Sequence, residues 1–259
     1  MRRRDWWNLV WSFTIRQVAE RYRGSALGFL WAFINPLVAL ALWTFLFTTI
    51  LRLRHEGTGG AAGYATMLWA GMVPWLAFSE AINGAMSCIR NHSNLVKRTL
   101  FPIEVLPLSS VFAGLIHGAI ALSILIPVLL LRFHSIPKKA VLLPVVMVTQ
   151  LIVTTAIAYP VSILTTLVRD FGPVIANLLT TLLYLTPVIY PLESVPEPYR
   201  TWMLANPLAV VVESYRHLLL DGAYPSWTLL GAQTVVSGII VLVARRAFGR
   251  QRKTFAEIL

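Results

Sequence analysis

Charge is what this 259-residue chain has least of: 13% of its residues are Asp, Glu, Lys or Arg, about half the share usual in soluble domains. That leaves too little polar surface to coat a globule in water. With 57% hydrophobic residues and a mean hydropathy of +0.69, the composition excludes a soluble fold. Cysteine is nearly absent as well. Cys88 stands alone, which rules out an internal disulfide, and His55, His92, His117, His134 and His217 are too scattered for metal-ligand spacing. Motifs for catalysis are missing: there is no nucleophile elbow, no paired-carboxylate motif and no metal constellation. The chain has no Walker A sequence, so ATP-driven movement of a substrate would need an ATPase from a second protein. Nor does it start like a cleavable leader. Arg2-Arg3-Arg4 resembles a basic n-region, but Arg16, Glu20, Arg21 and Arg23 interrupt what would be the apolar core. Acidic residues number 11 against 22 Lys and Arg, a net charge of +11. No basic segment is interleaved with stacking aromatics outside an apolar context, so the excess reads as cytoplasmic flanks of membrane spans and not as a nucleic-acid surface.

What is present is a succession of apolar runs. In residues 5–23, Trp7, Trp11, Ile15, Val18 and Tyr22 recur at spacings of three and four, while Arg4, Asn8, Ser12, Arg16 and Glu20 take the other side. A basic, Trp-rich amphipathic helix lies in the membrane interface; a solvated helix packed on a partner is the alternative. Gly24 and Gly28 then turn the chain. Spans are expected at 31–51, 64–87, 106–131, 140–168, 171–190 and 228–243, each of the length that crosses a bilayer or close to it. The Gly-rich stretch 57–63 reads as a flexible connection. Glu80 inside the second expected span faces the bundle interior or lies near an interface, as a pathway group or as a hydrogen-bonded structural residue. Gly114 and Gly118 form a GxxxG pair that admits a neighbouring helix, with His117 between them as a packing residue or a proton relay. Residues 191–227 differ: Pro191, Pro196, Pro198, Pro207 and Pro225 divide short apolar pieces that cannot span, the pattern of re-entrant or interfacial segments. Glu193, Glu197, Glu213 and Asp221 lie there with Arg200 and Arg216, and read better as caps and ion pairs than as an active site.

The expected fold is therefore all-α and membrane-integral: six transmembrane helices, an N-terminal interface helix, and short re-entrant helices before the last span, in one domain covering 1–259. With both ends cytoplasmic, fifteen Lys and Arg fall inside and seven outside, which favours that orientation. The 132–139 loop runs against the trend.

Several stretches resemble one family, the membrane subunits of type-2 ABC exporters of polysaccharides. Residues 21–31, Arg-Tyr-Arg-Gly-Ser-Ala-Leu-Gly-Phe-Leu-Trp, followed by Asn35-Pro36, are similar to that family's entry into its first span. Asn94-Leu95-Val96-Lys97-Arg98 with Phe101-Pro102 and Leu106-Pro107 resembles its first cytoplasmic connection. Arg169-Asp170 resembles its turn before the fifth span, and Thr186-Pro187-Val188-Ile189-Tyr190, Asn206-Pro207-Leu208, Glu213 and Arg216 its external segment. The resemblance runs through nearly the whole chain in order, nearest to exporters of lipid-linked O antigen and teichoic acid, with capsule exporters further away. It implies a permease and not an enzyme: a homodimer in the bacterial inner membrane with two copies of a cytoplasmic ATPase that holds the ATP and Mg. It implies ATPase coupling through Arg90, Asn94, Lys97 and Arg98, and an aromatic channel. Trp43, Phe47, Trp69, Trp75, Tyr159, Tyr184 and Tyr190 are candidates to line it, since aromatic rings hold apolar sugar faces without tight binding. Arg21 and Arg23, with Arg16 behind them, are candidates for the lipid carrier's phosphate; anionic headgroups would use the same residues. A drug or lipid cargo, or a polyprenyl-phosphate sugar enzyme using the external carboxylates or Arg169-Asp170, are the competing readings. A secondary transporter fits less well, because the spans hold few ionisable groups.

Overall fold

The computed structural model describes residues 3–52, 61–97, 101–134 and 136–258. Regular structure among them is entirely helical. Helix α1 (Arg3–Tyr22) is followed by a turn in which Gly24 and Gly28 adopt φ of +82° and +49°, values that an L side chain resists. Helix α2 (Trp31–Thr44) continues a 3-10 turn at Gly28–Leu30 and runs on through a π turn at Phe45–Ile50. Then come α3 (Ala61–Asn91), the single turn α4 (Ser93–Val96), α5 (Val105–Phe133), α6 (Leu143–Leu167) and α7 (Phe171–Leu185). Two short helices, α8 (Glu197–Leu204) and α9 (Pro207–Arg216), precede α10 (Trp227–Ile258).

The bundle is built around α3, which packs on α5, α6 and α9. It can sit there because its contact face is small. A Cβ on Gly114 of α5 would lie 2.4 Å from the Ala77 carbonyl oxygen, and one on Gly118 would lie 2.6 Å from the Ala77 Cβ. The GxxxG pair thus brings the α5 backbone against α3, as its spacing predicts. At 31 residues α3 is about 46 Å long and links two apolar cores. The larger gathers Tyr64, Leu68, Trp69, Leu125, Val188, Val211 and Tyr215. The smaller gathers Val10, Phe13, Ile89, Val96, Leu106, Tyr159, Phe248 and Phe255 at the other end of α3.

Among the described residues four helical stretches are long and apolar enough to cross a membrane: Gly28–Ile50, Val105–Leu131, Lys138–Leu167 and Trp227–Gln251. Two of the six expected spans are not among them, each for a physical reason. The helix containing 64–87 is long enough, but Gly, Ser, Pro, Asn83 and Glu80 dilute its hydropathy, and most of its side chains are buried against the rest of the chain. The one starting at 171 stops at Leu185 instead of 190, giving 15 residues. Pro187 is the cause: it lacks an N–H and forces Thr186 out of the helical region, to ψ 139°. At the last span the difference is reversed, since α10 continues fifteen residues past 243, to Ile258.

Segment 191–227 folds as the two short helices α8 and α9 with a 3-10 turn at Leu192–Ser194 and a π turn at His217–Asp221. Its best-formed start is at Asn206, whose Oδ1 accepts from the Leu208 amide at 3.0 Å, with Pro207 at the first helical position. The Asn206 Nδ2 also donates to Thr186 Oγ1 at 2.9 Å, so one side chain caps α9 and ties it to the end of α7. Asn206→Ala is expected to cost about 1 kcal/mol or more, read as a lower midpoint of thermal unfolding in detergent. Asn206→Asp, which keeps the cap but not the donor, should fall between the two.

Candidate functional site

Polar and charged side chains, among them several of the candidates, gather at the two ends of α3. At the first end α1 lies against α5. Its buried face is Val10, Phe13, Thr14 and Val18, with Trp6, Leu9 and Gln17 half-buried, while Trp7, Trp11 and Ile15 remain exposed. The apolar arc of α1 is therefore wider than the single stripe read from spacing. One part seats the helix on the bundle, and the other part, the Trp7 stripe, stays about half exposed, with Trp7 edge-on to the Phe112 ring at 6.2 Å.

Polar contacts reinforce the seat. Thr14 Oγ1 reaches the Ser109 carbonyl at 3.4 Å, and Gln17 donates to Ser110 Oγ at 3.0 Å. His117 Nδ1 lies 2.8 Å from the Ala113 carbonyl, which can only accept, so Nδ1 carries the proton. Nε2 is then the acceptor for the Tyr22 hydroxyl, 2.9 Å away. Both ring nitrogens of His117 are thus occupied. Glu80 forms an ion pair with Arg21, which answers where its charge goes. Beside these contacts a polar cavity of about 390 Å³ opens between α1, α3 and α5, lined in part by Arg16, Glu20, Glu80, Asn91 and His117. On the outer side of α1, Arg16, Glu20, Arg23 and Phe29 border an open cleft of about 650 Å³.

The phosphate candidates therefore separate. Arg21 has a carboxylate partner, whereas Arg16 and Arg23 face the cleft, Arg16 with its guanidinium 5.7 Å from the Phe13 ring centre. The coupling candidates also divide. Asn94 and Lys97 are exposed around α4, whose Val96 is buried in the smaller core. Arg90 is half-buried and its guanidinium reaches the start of α7 at Gly172. Arg98 lies outside the described residues.

At the other end Arg216 is buried, 4% exposed, and uses its whole guanidinium. It donates to the Val188 carbonyl at 2.7 Å, the Tyr190 carbonyl at 3.1 Å, the Met67 carbonyl at 3.4 Å and Glu213 Oε1 at 2.8 Å. These bonds clamp the chain after α7 between α3 and α9. Burial pushes the Glu213 carboxyl above its ordinary range and lowers Arg216, each opposed by the charge of the other. Arg200 closes a smaller knot, bonding Glu197 at 2.8 Å and the carbonyls of Glu193 and Val195. These are caps and ion pairs. No three His, Cys, Asp or Glu side chains converge as a metal site among the described residues.

The aromatic candidates fall into two groups. Trp69, Trp75 and Tyr159 are buried inside the subunit, Trp69 donating its indole N–H to the Ala121 carbonyl at 3.3 Å. They have little surface to offer a channel. Tyr184 is 54% exposed, Tyr190 is half-buried with its hydroxyl on the Tyr184 carbonyl, and half-buried Trp43 stacks on Phe47 at 5.5 Å. Sequence reasoning missed Gln150. This buried side chain donates to the Pro74 carbonyl and accepts from Tyr215, joining α3, α6 and α9. A lone Gln in an apolar run was the available signal.

The described residues form a helical bundle with four stretches long and apolar enough to cross a membrane, the frame of a multi-pass membrane protein. The particular kind follows from comparison. Residues 8–220 match the family model of the ABC-2 type transporter membrane proteins, and the chain belongs to that family. It is 33% identical over 252 residues to the O-antigen export system permease protein RfbA of Myxococcus xanthus, covering 96% of this chain and 94% of the relative. It is 28% identical to a Klebsiella pneumoniae protein of the same name, over 97% and 95% of the two chains. The polysialic acid transport protein KpsM of Escherichia coli is 23% identical over 80% of each.

Proposed function

We propose that the chain is the permease subunit of an ATP-driven exporter that carries a lipid-linked polysaccharide of O-antigen type across the bacterial inner membrane. The observation that carries this reading is the likeness to O-antigen export permeases, which runs almost end to end. Six crossings complete the topology: the four apolar stretches, α3 shielded by its neighbours, and α7 joined by residues up to 190. Both termini are then cytoplasmic, and α8 and α9 enter the outer face without crossing it. Two such subunits form the channel, and two copies of a cytoplasmic ATPase dock on Asn94, Lys97 and Arg98. The lipid phosphate meets Arg16 and Arg23 in the cleft beside α1, because Arg21 is already neutralised by Glu80. Tyr184, Tyr190 and Trp43 retain surface for the sugar faces.

Two measurements test this. The tagged protein should co-purify with an ATPase that has no membrane span, and deletion of its gene should leave lipid-linked glycan trapped inside the cell, seen as loss of surface glycan. Normal surface glycan in the deletion strain overturns the substrate assignment. Recovery of the pure subunit without any ATPase overturns the coupling.

A further inference from the structure

We propose that the end of α10, residues 245–258, is a working part of the ATPase-coupling surface, with Phe255 as the positioning residue that backs α4. The inference rests on the coupling role proposed above for the α4 region.

Membrane crossing alone does not require this segment. Helix α10 has 32 residues, a length of about 48 Å, against about 30 Å of hydrocarbon. Arg245, Arg246 and Arg250 are exposed near its end, and its last turns, after Gln251, lie past the apolar stretch. Yet it buries a stripe. Ala244, Phe248 and Phe255 follow at intervals of four and seven, one helical face, and are 7%, 2% and 0% exposed. A helix end without packing partners frays. This one instead buries a whole aromatic side chain past the point where the apolar stretch ends.

What the stripe meets decides its role. The Phe248 ring lies 5.3 Å from that of Tyr159 and 6.1 Å from that of Phe255. The same apolar cluster contains Val96 of α4, Ile103 and Leu106 after it, and Phe13 of α1. Helix α10 touches α4 directly. Trp6 of α1 is joined through the Arg245 guanidinium, 5.7 Å from its ring centre. A four-residue helix has one turn and no stability of its own, so α4 holds its place only by what it packs on. Val96 anchors it at 2% exposure, while Asn94 and Lys97 on its other side stay free for a partner. A push on α4 is therefore received by the Phe248–Phe255 stripe and by α1 together.

The test uses the complex of this subunit with its ATPase in native lipid. Phe255→Ala should still insert and be recovered at wild-type level, and ATP hydrolysis should stay within about twofold of wild type. Surface glycan should be largely lost at equal protein level in the membrane. Phe255→Leu should restore most of the export, and truncation after Gly249 should reproduce the alanine defect. Wild-type export by Phe255→Ala and by the truncation overturns the proposal. So does a loss of export that only tracks loss of protein from the membrane. Asn94→Ala with Lys97→Ala separates the two levels of the argument. If that pair keeps full ATPase binding, the coupling role of α4 fails. If it loses binding while Phe255 variants behave as wild type, only the role of α10 fails.

Discussion

Arg216→Ala is expected to lower stability by about 3–5 kcal/mol, the range for removing one partner of a buried pair. The loss is large because three backbone carbonyls and a carboxylate lose their donor at once. The carbonyls of Val188 and Tyr190 belong to the segment after Pro187, where no helix can satisfy them, and Glu213 is left buried without its counter-charge. Arg216→Lys should recover part of the loss, since one ammonium point charge cannot reach four acceptors in the plane of a guanidinium. Glu213→Gln combined with Arg216→Ala should be less damaging than Arg216→Ala alone, because no charge is then buried unpaired. The pH dependence has a definite sign. Burial already raises the Glu213 pKa above 4.5, and loss of Arg216 removes the charge that opposes it. A carboxyl with a raised folded-state pKa contributes stability that is fully present below the unfolded pKa and lost as pH rises through the folded one. The alanine variant should therefore unfold at a higher temperature in mildly acidic than in neutral detergent solution. Unfolding at the wild-type temperature, with no such pH trend, would show that the clamp does not hold the segment.

The sequence displayed the clamp's members but not the clamp. Glu213 and Arg216 stand three apart on what was plainly a short helix, so their ion pair was legible; Val188, Tyr190 and Met67 are carbonyl acceptors whose approach only the fold brings about. Arg21 and Glu80 show the same limit, fifty-nine positions apart, one a candidate for the lipid phosphate and the other a carboxylate expected inside the bundle or near an interface without a named partner. Hydropathy reports where lipid ends and not where a helix ends. That is why the last span was read to 243 while α10 runs to Ile258 on a buried Phe stripe. The end of α7 was legible in principle, since Thr186 precedes Pro187; apolar residues through Tyr190 outweighed it. In α1 the stripe through Trp7, Trp11 and Ile15 obeyed helical spacing, and so did the second one through Trp6, Val10 and Phe13. Periodicity cannot rank two apolar faces when one meets protein and the other stays about half exposed.

The GxxxG pair was legible, and it supports a graded prediction. A Cβ on Gly114 meets the Ala77 carbonyl oxygen at 2.4 Å, an atom of the α3 backbone that cannot move without the helix. On Gly118 the nearest atom is the Ala77 Cβ at 2.6 Å, a side-chain methyl. At Gly84 the neighbours are Ser110 Cβ and Oγ, at 3.1 and 3.2 Å, and at Gly231 and Gly238 nothing lies within 4 Å. Gly→Ala should therefore be worst at 114, by about 3 kcal/mol or more, the upper end for overpacking. It should be milder at 118, slight at 84, and neutral or stabilising by up to about 1 kcal/mol at 231 and 238, where alanine only gains helix propensity. The pattern of rescue is sharper than the ranking. Ala77→Gly removes the atom that Gly118→Ala strikes, so the exchanged pair should return to near wild-type folded yield and unfolding temperature. The same change leaves the Ala77 carbonyl in place, so it should do little for Gly114→Ala. Equal rescue of both would mean that α3 and α5 meet through side chains at both positions, and that the backbone approach at Gly114 is not what holds this pair of helices together.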